Sequence, residues 1–122
     1  PHTTEAEEEA RESATRAAAR QATDVPLEVV KGCHAQVELV DRLAGRTNLY
    51  LASDLEVAAL LLDSAARAAA ANVRVNLDSI GDAGFASAVS VELDQRLQQI
   101  QATGERARER VAKGVLRHPE GE

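Results

Sequence analysis

The chain has 122 residues, 44% of them hydrophobic and only 2% aromatic, with no Trp or Met and a formal net charge of −6. That length holds one domain, residues 1–122, and its Ala, Val and Leu bury little area per residue, so self-association, most simply a homodimer, is expected. The acidic balance, without an aromatic platform or basic stripe, argues against a nucleic-acid partner; no apolar run reaches spanning length and none resembles a signal peptide, so no membrane partner and a cytoplasmic location are expected.

In chain order, TTEAEEEARESATRAAARQA opens with Thr4 and Glu7 at capping-box spacing and predicts a helix over about residues 4–22. Its apolar face is alanine, so it is expected to lie against larger neighbours. TDVPLEVV follows, with Thr23 or Asp24 as a cap and Pro26 suited to a first turn, predicting a second helix over about 25–44 that Gly45 stops. Val29, Val30, Cys33, Val37, Val40 and Leu43 recur along it at helical spacing. The lone Cys33 forms no internal disulfide and reads as packing. His34 diverges from it by about 100° on a helix, reads as a surface or interface residue, and does not share a metal with it unaided.

SDLE repeats the capping box, Ser53 as cap and Glu56 three residues on, and a third helix is expected over about 54–80. After GDAG a fourth carries Phe85, Val89, Leu93, Leu97, Ile100, Ala107 and Val111 in near-heptad spacing, and RHPEGE reads as a frayed tail. No segment carries a strand pattern. The expected fold is all-α, a multihelical up-and-down bundle with long helices.

On a wheel with Asp63 of the third helix at zero, Glu56, Arg67, Arg74 and Asp78 fall within about 60° and form the solvated stripe. Asp54, Asn72, Asn76 and Ser79 fall on the opposite side among Ala58, Leu61, Ala65 and Ala68, which reads as the buried face. Asparagine is a poor mid-helix residue, so Asn72 and Asn76, one turn apart, call for a reason. Two accounts stand on pattern alone: Ser53 and Asp54 cap while the asparagines bridge to a neighbouring helix, or these groups hold a ligand.

ATDVPLEVV (22–30), GRTNLYLASDLEVAALL (45–61) and AAAANVRVNLDSIGD (68–82) resemble, in order and spacing, three signature stretches of the cyclodeaminase/cyclohydrolase family of folate enzymes. The family stretches read roughly A-T-x-V-P-L, G-N-x-N-x-x-S-D-A-G-V-A and N-V-x-x-N-x-x-x-I-x-D. The resemblance spans about residues 2–112 and implies the C-terminal part of the family domain, whose earlier P-x-P-G-G-G stretch and lysine-rich segment have no counterpart here. It implies a methenyltetrahydrofolate cyclohydrolase-like bundle acting on a tetrahydrofolate derivative as substrate. The reaction is either cyclisation of 5-formiminotetrahydrofolate to 5,10-methenyltetrahydrofolate with loss of ammonia, or hydrolysis of the methenyl bridge.

Carried over by position, Asn48 matches the second asparagine of G-N-x-N, Ser53 and Asp54 match S-D, and Asn72 and Asn76 match the asparagine pair. Arg46 stands where the first asparagine is expected, and Leu55-Glu56 replace Ala-Gly. Asp54 is the candidate acid/base, being the ionisable residue among these matched positions; Asn48, Ser53, Asn72 and Asn76 are candidates for substrate binding. No metal-ligand or phosphate-loop spacing is present, and neither metal nor cofactor is expected. A non-catalytic helical dimerisation module of the same family and an unrelated helical interaction module remain as alternatives. Since 72 − 54 = 18 residues, a straight helix separates Asp54 from Asn72 by about 27 Å; the expectation is an antiparallel pairing of two copies that shares each site between subunits.

Overall fold

A computed structural model of the chain describes residues 4–46 and 49–113. Among these residues three helices, α1 (Glu5–Leu43), α2 (Ala52–Ile80) and α3 (Ala83–Ala112), make up the fold, with a 3-10 turn, Leu49–Leu51, leading into α2. Among the described residues there is no strand, so the all-α expectation holds. Nor is any of their helices long and apolar enough to cross a membrane. Asn48 and the RHPEGE tail lie outside the described residues.

The start of α1 is as the sequence predicts: the Glu7 amide donates to the Thr4 hydroxyl at 3.2 Å and the Thr4 amide donates to Glu7 Oε2 at 2.9 Å. The two helices expected over 4–22 and 25–44 are instead one, with Pro26 in its interior. An interior proline costs about 3 kcal/mol through its missing N–H and its clash with the carbonyl four residues back. Tertiary packing offsets that cost, because Ala19, Thr23, Val30, Cys33, Val37 and Val40 form one buried stripe that runs through position 26. A break there would turn the two halves of the stripe out of register. The buried Thr23 hydroxyl donates to the Ala19 carbonyl at 2.9 Å, satisfying itself inside the same turn. The alanine-rich start is not laid against larger neighbours: residues 4–18 are all exposed, and their helix is held by its cap and by continuity with the packed part of α1.

Gly45 (φ 88°) and Gly81 (φ 72°) take the left-handed conformation that ends α1 and α2. The Asp82 carboxylate then caps α3, accepting from the Phe85 amide at 3.0 Å. The capping box expected at Ser53 is absent. The cap residue of α2 is Leu51, without a side-chain hydrogen bond, because the preceding 3-10 turn begins the winding early and leaves Ser53 already helical.

The helices run up, down, up. Arg20 of α1 meets Asp82 at the start of α3 at 3.2 Å, and at the opposite end Arg110 of α3 bonds the Asp41 carboxylate and carbonyl, so α1 and α3 are parallel. Pairs Arg74–Asp94 (2.7 Å) and Arg67–Gln101 (2.8 Å) join α2 to α3 in antiparallel order. The main core gathers Val30, Cys33 and Val37 with Ala66, Ala70, Val73 and Leu77 and with Val89, Leu93 and Ile100. A smaller one joins Val40, Ala44, Leu55, Ala59 and Ala107. Leu55, one of the two departures from the family stretch, is thus a core residue, while Glu56 is exposed.

The buried stripe of α2 runs through Leu55, Ala59, Ala66, Ala70, Val73 and Leu77, about 120° around the wheel from the face read as buried. Asp54, Leu61, Ala65, Ala68, Asn72 and Ser79 are exposed, and Ala58 and Asn76 are half-buried. The charged stripe was placed correctly, with Arg67 Nε donating to Asp63 Oδ2 at 3.1 Å, but it borders the core instead of lying opposite it. Arg67 and Arg74 reach sideways to α3, so charge and burial share a margin.

Ile100 is fully buried in the main core. Replacing it by alanine is expected to destabilise the fold by about 2–5 kcal/mol in chemical denaturation, from lost transfer energy and the cavity left behind. Burial pushes the Cys33 thiol pKa up, which lowers its thiolate fraction. Alkylation with iodoacetamide near pH 8 should therefore be slow in the native protein and become rapid on denaturation.

Candidate functional site

Two of the signature stretches, 22–30 and 68–82, far apart in sequence, meet in one place. A cavity of about 490 Å³ opens between α1 and α2, lined by Ala22, Val25, Pro26 and Val29 from the first and by Ala65, Ala69, Asn72 and Asn76 from the second helix. Its volume falls in the range of small-molecule sites, and its make-up, apolar walls with a few polar groups, is typical of them. The walls are built by helical spacing. Ala22, Val25, Pro26 and Val29 recur at threes and fours on α1, as do Ala65, Ala69, Asn72 and Asn76 on α2. Alanines at 65 and 69 leave the room that the asparagines overlook.

The asparagines do not bridge to another helix. Asn76 Nδ2 donates to the backbone carbonyl of Asn72 at 3.1 Å, within the same helix. That bond fixes the Asn76 carboxamide along α2 and leaves its oxygen without a partner among the described residues. The Asn72 carboxamide has no hydrogen-bond partner among them either, and it is exposed at the cavity. Neither asparagine is therefore a structural tie between helices. Both offer donors or acceptors to whatever enters.

Asp54 and Ser53 are exposed in the first turn of α2, at the far end of that helix from the cavity. With α2 unbroken from Ala52 to Ile80, Asp54 stands about 27 Å from Asn72 along the axis. One chain thus brings Asn72 and Asn76 together and holds Ser53 and Asp54 apart from them. Sequence reasoning placed Ala65 beside the asparagines but missed Ala22, Val25, Pro26, Val29 and Ala69 as cavity walls. The signal is available in the family stretches, since Ala22, Val25, Pro26 and Val29 lie in ATDVPLEVV and Ala69 in AAAANVRVNLDSIGD.

Between the two ends, α2 presents an apolar outer face. Leu61 is 64% exposed and Val57 52%, with Ala65 and Ala68 exposed beside them. On α1, Val25 is 71% exposed and Val29 44%. On the opposite, α1–α3 seam, Arg96 donates to His34 Nδ1 at 3.0 Å while His34 Nε2 faces Glu38 Oε1 at 3.4 Å. The guanidinium can only donate, so this geometry takes Nδ1 as the acceptor and gives His34 an interhelical role.

The family model described as formiminotransferase-cyclodeaminase matches residues 1–95. A curated relative, the methenyltetrahydrofolate cyclohydrolase of Methylorubrum extorquens, is 36% identical over 115 residues, covering 94% of this chain and 55% of its own length. The chain thus spans about half the length of the curated relative it matches. No solved structure matches.

An exposed carboxamide at the cavity is a local group, and its removal should leave the fold intact. Asn72→Ala is expected to unfold at the same denaturant concentration or slightly higher, gaining up to about 0.5 kcal/mol from the better helix propensity of alanine. The Asn76 bond survives, since it goes to the backbone. A loss of 1 kcal/mol or more would show that Asn72 ties helices together.

Proposed function

Since the chain belongs to the formiminotransferase-cyclodeaminase family, we propose that it acts in folate-dependent one-carbon metabolism. The cavity between α1 and α2 is, on this reading, a folate-binding surface. One observation carries it: seven of the eight residues that line this cavity belong to the stretches 22–30 and 68–82 that resemble the family's, one stretch on each side. The reaction is ring closure of 5-formiminotetrahydrofolate or water addition to the methenyl bridge. In the first, N10 attacks the formimino carbon on N5, the carbon–nitrogen bond to the imino group breaks, and ammonia leaves with the proton delivered to it. In the second, water adds to the bridge carbon and one of its two bonds to nitrogen opens. Both require a group that moves a proton and groups that hold N5 and N10 at attack distance. Asp54 takes the first role; Asn72 and Asn76, with Ser53 and Asn48, take the second.

A distance of about 27 Å between Asp54 and Asn72 is too long for one reacting centre. We infer that a second copy completes the site, packing its α2 antiparallel on the outer face of the first so that Asp54 of one copy approaches Asn72 of the other. What supports this is the character of the face between them: Val57, Leu61, Ala65 and Ala68 are apolar and exposed, and the alanines permit close approach. Leu55 and Glu56, where the family has Ala-Gly, do not stand against catalysis, since Leu55 turns into the small core and Glu56 into solvent.

Side-by-side assays of the full-length protein with 5-formiminotetrahydrofolate and methenyltetrahydrofolate, followed by the absorbance of the methenyl form, distinguish the two reactions. Asp54→Ala should reduce turnover by about 10²–10⁴-fold, as loss of a proton-transfer group does. Mixed in equal amounts with Asn72→Ala and allowed to exchange subunits, it should recover about a quarter of wild-type activity, because half the dimers are mixed and each holds one intact site. No recovery after proven exchange would end the shared-site reading and leave Asp54 and Asn72 without a common site.

A further inference from the structure

Pro26 leaves a mark on the cavity beyond its ring. In an α-helix each carbonyl accepts from the N–H four residues on; Pro26 has no N–H, so the Ala22 carbonyl has no donor from that position. Ala22 and Pro26 are both cavity walls, facing Asn72 and Asn76 on α2. The neighbouring Thr23 hydroxyl does not serve this carbonyl, since it is buried on the other side and donates to Ala19. Among the described residues no side chain donates to Ala22. A backbone acceptor without the donor four residues on therefore belongs to a residue that lines a largely apolar cavity, as do Asn72, whose carboxamide has no partner among the described residues, and Asn76, whose oxygen has none among them.

We propose that the Ala22 carbonyl, released by Pro26, accepts a hydrogen bond from the exocyclic 2-amino group of the pterin ring of a bound folate. The inference rests on the folate reading above and adds a positioning residue to it. The chemistry is complementary. The amino-pyrimidinone edge of a pterin presents the 2-amino group and N3–H as donors beside the O4 acceptor. The residues that line the cavity carry matching groups: the Ala22 carbonyl, without its donor from position 26, and the Asn76 oxygen as acceptors, and the Asn72 carboxamide as both. Val25, Val29, Ala65 and Ala69 give the flat faces of the ring apolar contact. Pro26 thus determines specificity by a missing hydrogen, which explains why a residue unfavourable in a helix interior sits at the cavity and not elsewhere along α1.

The test is Pro26→Ala in the full-length protein, measured by calorimetric titration with tetrahydrofolate and with its 2-desamino-2-methyl analogue, beside thermal unfolding. Alanine restores the N–H and closes the carbonyl into the helix, so the variant should unfold at a higher temperature than wild type and bind tetrahydrofolate about tenfold more weakly, the worth of one neutral hydrogen bond. The analogue, lacking the donor, should bind wild type about tenfold more weakly than tetrahydrofolate does and bind both proteins alike. A variant that is more stable yet binds tetrahydrofolate as wild type does overturns this contact alone. Equal weakening of both ligands also overturns it, assigning the effect to a changed backbone course. Wild type that binds neither ligand overturns the folate reading and the contact with it.

Discussion

The unbroken hydrogen-bond ladder of α2 is the constraint on which the rest of the molecule depends. From Ala52 to Ile80 it contains neither proline nor glycine, and it packs on both α1 and α3. A helix of this length is a rigid spacer. It fixes the polar groups at its two ends a set distance apart, and no rotation of side chains closes that gap. The outer apolar face follows from the same rigidity. A cylinder whose core-facing stripe is filled by Leu55, Ala59, Ala66, Ala70, Val73 and Leu77 has another side, and here that side carries Val57, Leu61 and two alanines instead of charge. Where soluble helices put solvated residues, α2 puts residues that gain from contact.

Small side chains set the scale of the bundle. Ala59, Ala66, Ala69 and Ala70 on α2, and Gly104 and Ala107 on α3, let the helices approach closely, so the few large residues, Leu93 and Ile100 above all, are fully enclosed. The core is narrow, and it is closed at its ends by charge. At one end Arg20 pairs with Asp82 and lies 4.2 Å over the Phe85 ring, tying α1 to the corner between α2 and α3. At the other, Asp41 receives Arg106 and Arg110. The two ends fix the register of α1 against α3, and with it the height at which Pro26 faces Asn72.

In this frame the proline reconciles continuous packing with a backbone acceptor that lacks its usual helical donor. A break at position 26 would have released the upper half of α1 and lost the cavity; a fully bonded helix would have taken up the Ala22 carbonyl within α1. An interior proline held by buried neighbours on both sides keeps the stripe in register while leaving one carbonyl without its usual donor.

Composition and periodicity alone determined the helical class, the Thr4–Glu7 cap, the stops at Gly45 and Gly81, and the core face of α3, because each is a local property of spacing or of backbone freedom at one residue. The three family stretches were legible for the same reason, as ordered residues. What only the tertiary structure decided were the features that depend on a neighbour. Pro26 marks a helix end by local propensity, yet the buried stripe from Ala19 to Val40 overrides it. Ser53 followed by Glu56 has the pattern of a cap, but the turn at Leu49–Leu51 starts the helix before it. The wheel located the charged stripe of α2 correctly and chose the wrong side as buried. Two apolar faces flank that choice, and which of them meets α1 and α3 is fixed by the partners' placement and not by α2's own sequence.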